Sequence, residues 1–256
     1  MPRTKSAALT PDEIAFVTGL VIHKDDELLA LDKPAGISSQ GGRIDVNTLD
    51  ELLGAFAKPS GVRPRLVHRL DRDTSGVLLA ARSQPAAAYM GKMMMGRRVR
   101  KTYLALVAPG APAPREGLIE AALLREDIGR ESRVKVADPA HPEAKAASTR
   151  YRTLAANDTA ALVELRPETG RMHQLRVHLA HIGRPISGDP RYGGALVLAG
   201  VPVPRLMLHA ASLAFPHPNG GHPARIDAPL SADMRELLGK LGLEIPSQRA
   251  EAAPQP

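Results

Sequence analysis

Residues 68–76 read His-Arg-Leu-Asp-Arg-Asp-Thr-Ser-Gly. One carboxylate, Asp71, stands between the guanidinium groups of Arg69 and Arg72, and the run leads straight into the apolar stretch Val77-Leu78-Leu79-Ala80-Ala81. An aspartate that must stay ionised beside a polyanion, while its neighbours hold phosphates, has this company. The chemistry it points to is that of a catalytic carboxylate in a nucleic-acid site. The same residues also allow a plain turn in which Asp73 and Thr74 bond nearby backbone amides. Asp71-x-Asp73-x-Ser75-Gly76 copies the first half of a calcium loop. Its twelfth position, where a bidentate glutamate belongs, is Arg82, and Arg72 lies inside the loop, so calcium is set aside.

A second group of chemical residues follows Gly170. On a helix over 172–182, Leu175, Leu179 and Ile182 form an apolar stripe with Met172 beside them, and Arg176 falls at its margin. A guanidinium there either snorkels to water or meets a carboxylate, and in the second case it is a good partner for keeping an aspartate ionised. His173, His178 and His181 spread around the wheel, with no acid anywhere over 169–188, which argues against zinc. His173 and Gln174 are instead read as donors to phosphate, substrate or backbone. Arg97-Arg98-Val99-Arg100-Lys101 is either a solvated face or, running into Thr102-Tyr103, the flank of a nucleotide pocket.

Composition narrows the partner. The 256 residues carry 34 basic and 27 acidic side chains for a net charge of +7, and Arg outnumbers Lys 25 to 9, which suits bidentate phosphate contacts. Four Tyr, three Phe and no Trp make a stacking platform for single strands a poor reading. With no Cys, disulfides, thiolate zinc and thiol nucleophiles are excluded, and a reducing cytoplasm is the expected compartment. No signal peptide or membrane span is expected.

The elements that must position these residues can be read from punctuation and period. Thr10-Pro11-Asp12-Glu13 caps a short helix to about Thr18, and residues 20–23 and 28–32 form a hairpin closed by the turn Lys33-Pro34-Ala35-Gly36. Thr48 caps a helix through Phe56. A buried strand is expected at 77–81, a helix at 85–95 and a strand at 101–107, followed by a Pro/Ala connector over 109–115. Further strands are expected at 117–124, 132–136, 147–155, 160–166 and 206–215, with a loop over 193–204 and a last amphipathic helix from Ser231 carrying Met234, Leu237, Leu238 and Leu241. Many strands with scattered helices and no regular βαβ alternation predict an α+β fold.

Six separated blocks together resemble the RluA family of RNA pseudouridine synthases. They are Asp32-Lys33-Pro34-Ala35-Gly36, His68 to Asp71 with Thr74-Ser75-Gly76, and Lys101-Thr102-Tyr103-Leu104-Ala105. Thr169-Gly170-Arg171 with His173 to His178, Gly188-Asp189-Pro190-Arg191-Tyr192-Gly193, and Arg205 to Ala210 complete the set. The resemblance covers about residues 20–217. It implies uridine-to-pseudouridine isomerisation in RNA without metal or organic cofactor. The implied fold is a mixed, largely antiparallel central sheet with flanking helices and loops and an active-site cleft across the sheet.

By the same resemblance Asp71 is the essential aspartate, attacking either ribose or uracil. Tyr103 packs on the base and assists proton removal at carbon 5, and Arg176 pairs with the aspartate. Leu208 lines the base pocket and Arg69 fills the gap left by the flipped nucleotide, while His68, Lys33, Lys101, Arg171, His173 and Gln174 are expected to touch substrate or RNA. One catalytic domain over 19–245 is expected between an extension at 1–18 and a disordered tail at 246–256, with no separate amino-terminal RNA-binding module. The expected partner of this monomer is ribosomal or transfer RNA. A non-catalytic RNA-binding factor, and a metal-dependent nuclease or glycosidase using Asp71 and Asp73, are the competing readings.

Overall fold

The computed structural model describes residues 8–41, 47–129 and 131–244, with Ile128 and Glu131 described by backbone alone. The expected tail at 246–256 and the first seven residues lie outside that description. The chain divides into two compact units, one formed by residues up to 99 together with 214–229, the other by 100–213 and the residues from 230 onward.

The first unit opens with α1 (Pro11–Gly19), where the side chain of Thr10 accepts from Glu13 N–H and the Glu13 carboxylate accepts from Thr10 N–H. This reciprocal cap satisfies two of the orphan donors at the helix start. β1 (Val21–Lys24) and β2 (Leu28–Lys33) pair antiparallel. Asp25 shapes the turn between them: its Oδ1 accepts from Glu27 N–H and Leu28 N–H, and its Oδ2 from the His23 and His217 imidazoles at 2.7 and 3.1 Å. Burial alone would raise this carboxyl, but the bonds from His23, Leu28, Glu27 and His217 outweigh it and hold it at about 2.

Thr48 caps α2 (Leu49–Leu52) through a second reciprocal box with Glu51, but the expected helix to Phe56 tightens into a 3-10 turn over Leu53–Phe56. After the two-residue β3 (Arg65–Leu66) comes β4 (Ser75–Ala81), buried along its whole length as a continuous apolar run requires. β4 pairs antiparallel with β2, placing Leu31 against Leu78 and Lys33 against Gly76. α3 (Gln84–Met95) follows, capped by Ser83.

The second unit is built on the antiparallel order β5-β10-β9-β6. These strands are β5 (Arg100–Val107), β6 (Glu116–Glu120), β9 (Ser148–Ala156) and β10 (Ala161–Pro167). The stretch expected as one strand over 117–124 divides: its first part is β6, and its end enters a separate hairpin of β7 (Leu123–Ile128) and β8 (Glu131–Val136). α4 (Gln174–His181) follows β10.

The expected loop at 193–204 contains a small hairpin, β11 (Val197–Leu198) and β12 (Val201–Pro202). Its two turn residues, Ala199 and Gly200, both have positive φ, at 47° and 80°. That is the primed turn whose twist suits a two-residue hairpin. β13 (Leu208–Pro216) carries the chain toward the first unit's last strand, β14 (Pro223–Asp227), which the sequence reading did not anticipate. α5 (Ala232–Lys240) buries Met234, Leu237 and Leu238 in one cluster with Leu106, Leu162 and Leu165. Helices scattered among antiparallel strands make the fold α+β, as expected. Among the described residues no helix is long and apolar enough to cross a membrane.

Candidate active site

Asp71 lies on the loop between β3 and β4, half-buried, between buried Leu70 and exposed Arg72. The loop is held through its backbone. Ser39 Oγ donates to the Leu70 carbonyl at 2.8 Å and accepts from Leu70 N–H at 3.1 Å. Thr74 N–H closes the turn on the Asp71 carbonyl, and Gly36 N–H bonds the Arg72 carbonyl at 2.9 Å. Gly76, at φ 108°, then turns the chain into β4, a conformation that suits glycine because it has no Cβ.

Lys33 was expected to touch RNA. It is instead fully buried, and its ammonium donates to the carbonyls of Pro34, Arg72 and Thr74 at 2.8–2.9 Å. A charge out of water must have its donors satisfied, and here two of the three bonds go to the segment that directly follows Asp71. Lys33 therefore braces the loop rather than reaching for a ligand. His68 is likewise tied inward, since its Nε2 accepts from Leu79 N–H at 3.1 Å. A ring nitrogen that accepts carries no proton, so the proton of the neutral ring is on Nδ1.

Arg69 is exposed on the same loop, where it is available to a large ligand. Arg72 donates to the Gly36 carbonyl, and its approach to Asp73 at 4.0 Å is a surface pair with both side chains more than half exposed, which contributes little. Arg82, the twelfth residue of the calcium-like run, directs its guanidinium to the Asp25 carbonyl and so is committed elsewhere. Among the described residues no three His, Asp or Glu side chains are grouped as metal ligands.

In the second unit Lys101 and Tyr103 lie on the same face of β5, two residues apart. Tyr103 packs partly buried against the unit's core and pairs in register with Leu165 on β10. Burial pushes the Lys101 ammonium below its ordinary range. Leu208, expected to line a base pocket, is 3% exposed and belongs to the same core cluster.

α4 brings four of the expected residues to one end of one helix. Gln174 was expected to bind substrate, but it is buried with both ends of its amide engaged. Its oxygen accepts from Thr169 Oγ1 and Arg171 N–H, and its nitrogen donates to the Ser148 carbonyl and Thr149 Oγ1. It anchors the helix start to β9. Arg171 is exposed and donates from Nε to the Ala146 carbonyl. His173, at φ 52°, takes a left-handed conformation uncommon outside glycine, and its Nδ1 lies 2.8 Å from the Tyr192 hydroxyl.

Arg176 resolves the choice left open by its place on the helix: it meets a carboxylate. Nε and Nη2 donate to Asp189 Oδ2 and Oδ1, each at 2.7 Å, and Asp189 is fully buried. The Tyr192 ring lies over the same guanidinium, 4.9 Å from its carbon to the ring centroid. The sequence reading assigned neither residue a role. Asp189 follows the acid-free stretch 169–188 by a single position, and the turn that folds it back onto α4 is a matter of tertiary structure.

Comparison with known proteins places the chain among enzymes of one reaction. Residues 27–181 match the family model described as RNA pseudouridylate synthase, a span that includes Asp71, Tyr103 and Arg176. The chain is 40% identical over 231 residues to ribosomal large subunit pseudouridine synthase C of Yersinia pestis, covering 89% of this chain and 70% of that protein. It is 36% identical over 253 residues to ribosomal large subunit pseudouridine synthase D of Zymomonas mobilis, covering 94% and 77%. Among solved structures it resembles human RNA pseudouridylate synthase domain containing 4, with a TM-score of 0.78 at 26% identity, covering 92% of this chain and 99% of that one. Human RNA pseudouridylate synthase domain containing 1 follows, with a TM-score of 0.67 at 28% identity, covering 92% and 96%.

Proposed function

Because the chain belongs to the RNA pseudouridylate synthase family and is an RNA pseudouridine synthase, we propose that it isomerises uridine in large-subunit ribosomal RNA and that Asp71 is the nucleophile. The reaction conserves every atom. The N1–C1′ bond of uridine breaks, the freed uracil turns, a C5–C1′ bond forms, and the proton displaced from carbon 5 is balanced by one gained at N1. No electrons enter or leave, so a nucleophile, a proton acceptor and a cation suffice. Covalent capture by a carboxylate divides the difficult glycosidic cleavage into two easier steps. Since the target base is stacked in folded RNA, it must be extruded first.

Asp71 takes the nucleophile's part, Tyr103 assists removal of the carbon 5 proton, and Arg176 stabilises negative charge. Arg69 and Arg171, both exposed, are assigned to RNA contact. The observation that carries the Asp71 assignment is the bracing of its loop through backbone carbonyls by Lys33 and Ser39. Such bracing holds a reactive side chain in place through the backbone that carries it. The ribosomal target is supported by the relatives named for it.

Mapping pseudouridines in total RNA from cells with and without the gene tests the whole reading. Loss of one or a few sites in large-subunit ribosomal RNA, restored by the wild-type gene and not by Asp71→Asn, is the expected result. Loss confined to transfer RNA overturns the target. Restoration by Asp71→Asn overturns the role of Asp71 and favours a non-catalytic RNA-binding factor.

A further inference from the structure

We propose that Asp189 is a positioning residue for Arg176, a second carboxylate on which the isomerisation depends without touching the substrate; the inference rests on the reaction assigned above. Its geometry argues against a reactive group. Besides the two bonds from Arg176, Oδ1 accepts from Arg191 N–H at 3.0 Å and Tyr192 N–H at 3.2 Å. Four donors converge on one fully buried carboxylate, three on Oδ1 and one on Oδ2, which engages both oxygens and leaves no room for attack on a sugar or a base.

The turn that carries Asp189 is built to close tolerances. Gly188 has φ 77°, and a Cβ there would lie 1.7 Å from the Arg205 carbonyl oxygen. A Cβ on Gly194 would lie 1.9 Å from the Ile186 carbonyl oxygen. Gly188 N–H bonds the Ala195 carbonyl, Gly194 N–H the Asp189 carbonyl, and Asp189 N–H the Ile186 carbonyl. Neither glycine can take a side chain without moving the backbone that presents the carboxylate.

Arg176 is thus held on one edge by Asp189 and on one face by Tyr192. Tyr192 is itself fixed: its oxygen accepts from Val134 N–H at 3.2 Å and lies 2.8 Å from His173 Nδ1. Burial, the largest influence on this phenol, raises it above its ordinary range and keeps the hydroxyl neutral. A guanidinium has five N–H groups in a rigid plane. With Nε and one N–H of Nη2 turned to Asp189, the direction of the Nη1 edge is set. A buried ion pair is poor evidence for stability, since apolar residues of similar size often serve as well. Aiming a charge to within a fraction of an ångström is the task that warrants it.

The test uses the full chain with total RNA from cells lacking the gene, following pseudouridine formation under single-turnover conditions at increasing enzyme concentration. Asp189→Asn is expected to lower the maximal rate about 100-fold while the half-saturating enzyme concentration stays within about threefold, because RNA contacts are untouched. The double variant Asp189→Asn with Arg176→Lys is expected to be no more than about threefold slower than Arg176→Lys alone, since a mispositioned group has little left to lose.

Tyr192→Leu, which removes the ring over the guanidinium, is expected to lower the rate about tenfold and to be similarly non-additive; it decides the matter if Asp189→Asn does not fold. A rate within twofold of wild type in a folded Asp189→Asn or Tyr192→Leu variant overturns the proposal. So do losses that multiply with Arg176→Lys, or full activity in Arg176→Lys itself. Absence of pseudouridine formation by the wild-type chain would instead sink the assigned reaction, a distinct failure.

Discussion

In the first unit Asp71 sits half-buried on a loop pinned at Leu70, Arg72 and Thr74 by bonds to backbone atoms. Asp189, in the second, is fully buried and receives four donors on its own two oxygens. The two aspartates share a chemistry and differ in what the surroundings spend on them. Support delivered to the backbone fixes where a carboxylate stands, whereas support delivered by four donors to the oxygens themselves turns the carboxylate into part of the frame. The contrast distinguishes the acid proposed to react from the one proposed to hold Arg176.

Substitution can break or sharpen that contrast. Asp71→Asn is expected to abolish product formation, by at least about 10⁴-fold as for loss of a nucleophile, while a thermal melt shifts little because the braces of its loop go elsewhere. A melt that collapses would show that the side chain is part of the frame after all. Asp189→Asn should do the opposite in stability, costing roughly 3–5 kcal/mol in urea unfolding because it leaves a buried guanidinium uncompensated.

Lys33→Met sits between the two. It takes a donor from three carbonyls, of which that of Arg72 keeps Gly36 N–H, and is expected to cost on the order of 3 kcal/mol, with activity falling further than the melt predicts because the Asp71 loop loosens. If activity survives in the folded variant, the brace is not what places Asp71.

Smaller effects are expected away from both aspartates. The Asp25 carboxyl, lowered from 3.8 to about 2 by His23, Leu28, Glu27 and His217 against its own burial, stabilises the fold in full above pH 3.8. That contribution is lost as pH falls through 2. The shift corresponds to about 2 kcal/mol, discounted to about 1 kcal/mol because the side chain is one-third exposed. Asp25→Asn should remove this pH dependence from acid unfolding curves while leaving the rate of isomerisation unchanged. The smallest effect belongs to Thr10→Ala, which opens the first helix's cap at a cost of about 1 kcal/mol.

Much of the frame was legible in local pattern. Val77 to Ala81 suited a buried strand, and the caps at Thr10 and Thr48 and the face Met234, Leu237, Leu238 marked helices where helices occur. Partner choice was not local. The stretch 117–124 reads as one strand, but its two parts pair with different neighbours, β6 with β9 and β7 with β8. β14 passed unnoticed because Pro223–Asp227 buries only Ile226 and alternation has little to show. The loop at 193–204 hid its hairpin in Ala199-Gly200, where a non-glycine residue adopts positive φ.

For the site, residue types singled out Asp71 and Arg176 and pointed to a nucleic acid, and the resemblance of six short blocks to the RluA family added Tyr103 and uridine isomerisation, because the motifs that hold reactive groups are short. Tertiary structure decided what each polar group is bonded to. It turned Lys33 and Gln174 from expected ligand contacts into buried braces, and it brought Asp189 and Tyr192 onto Arg176 from later in the chain. Composition sets which charges a chain carries. Only folding, by removing water, forces each buried charge to find its partner, and that partner is chosen by the path of the backbone.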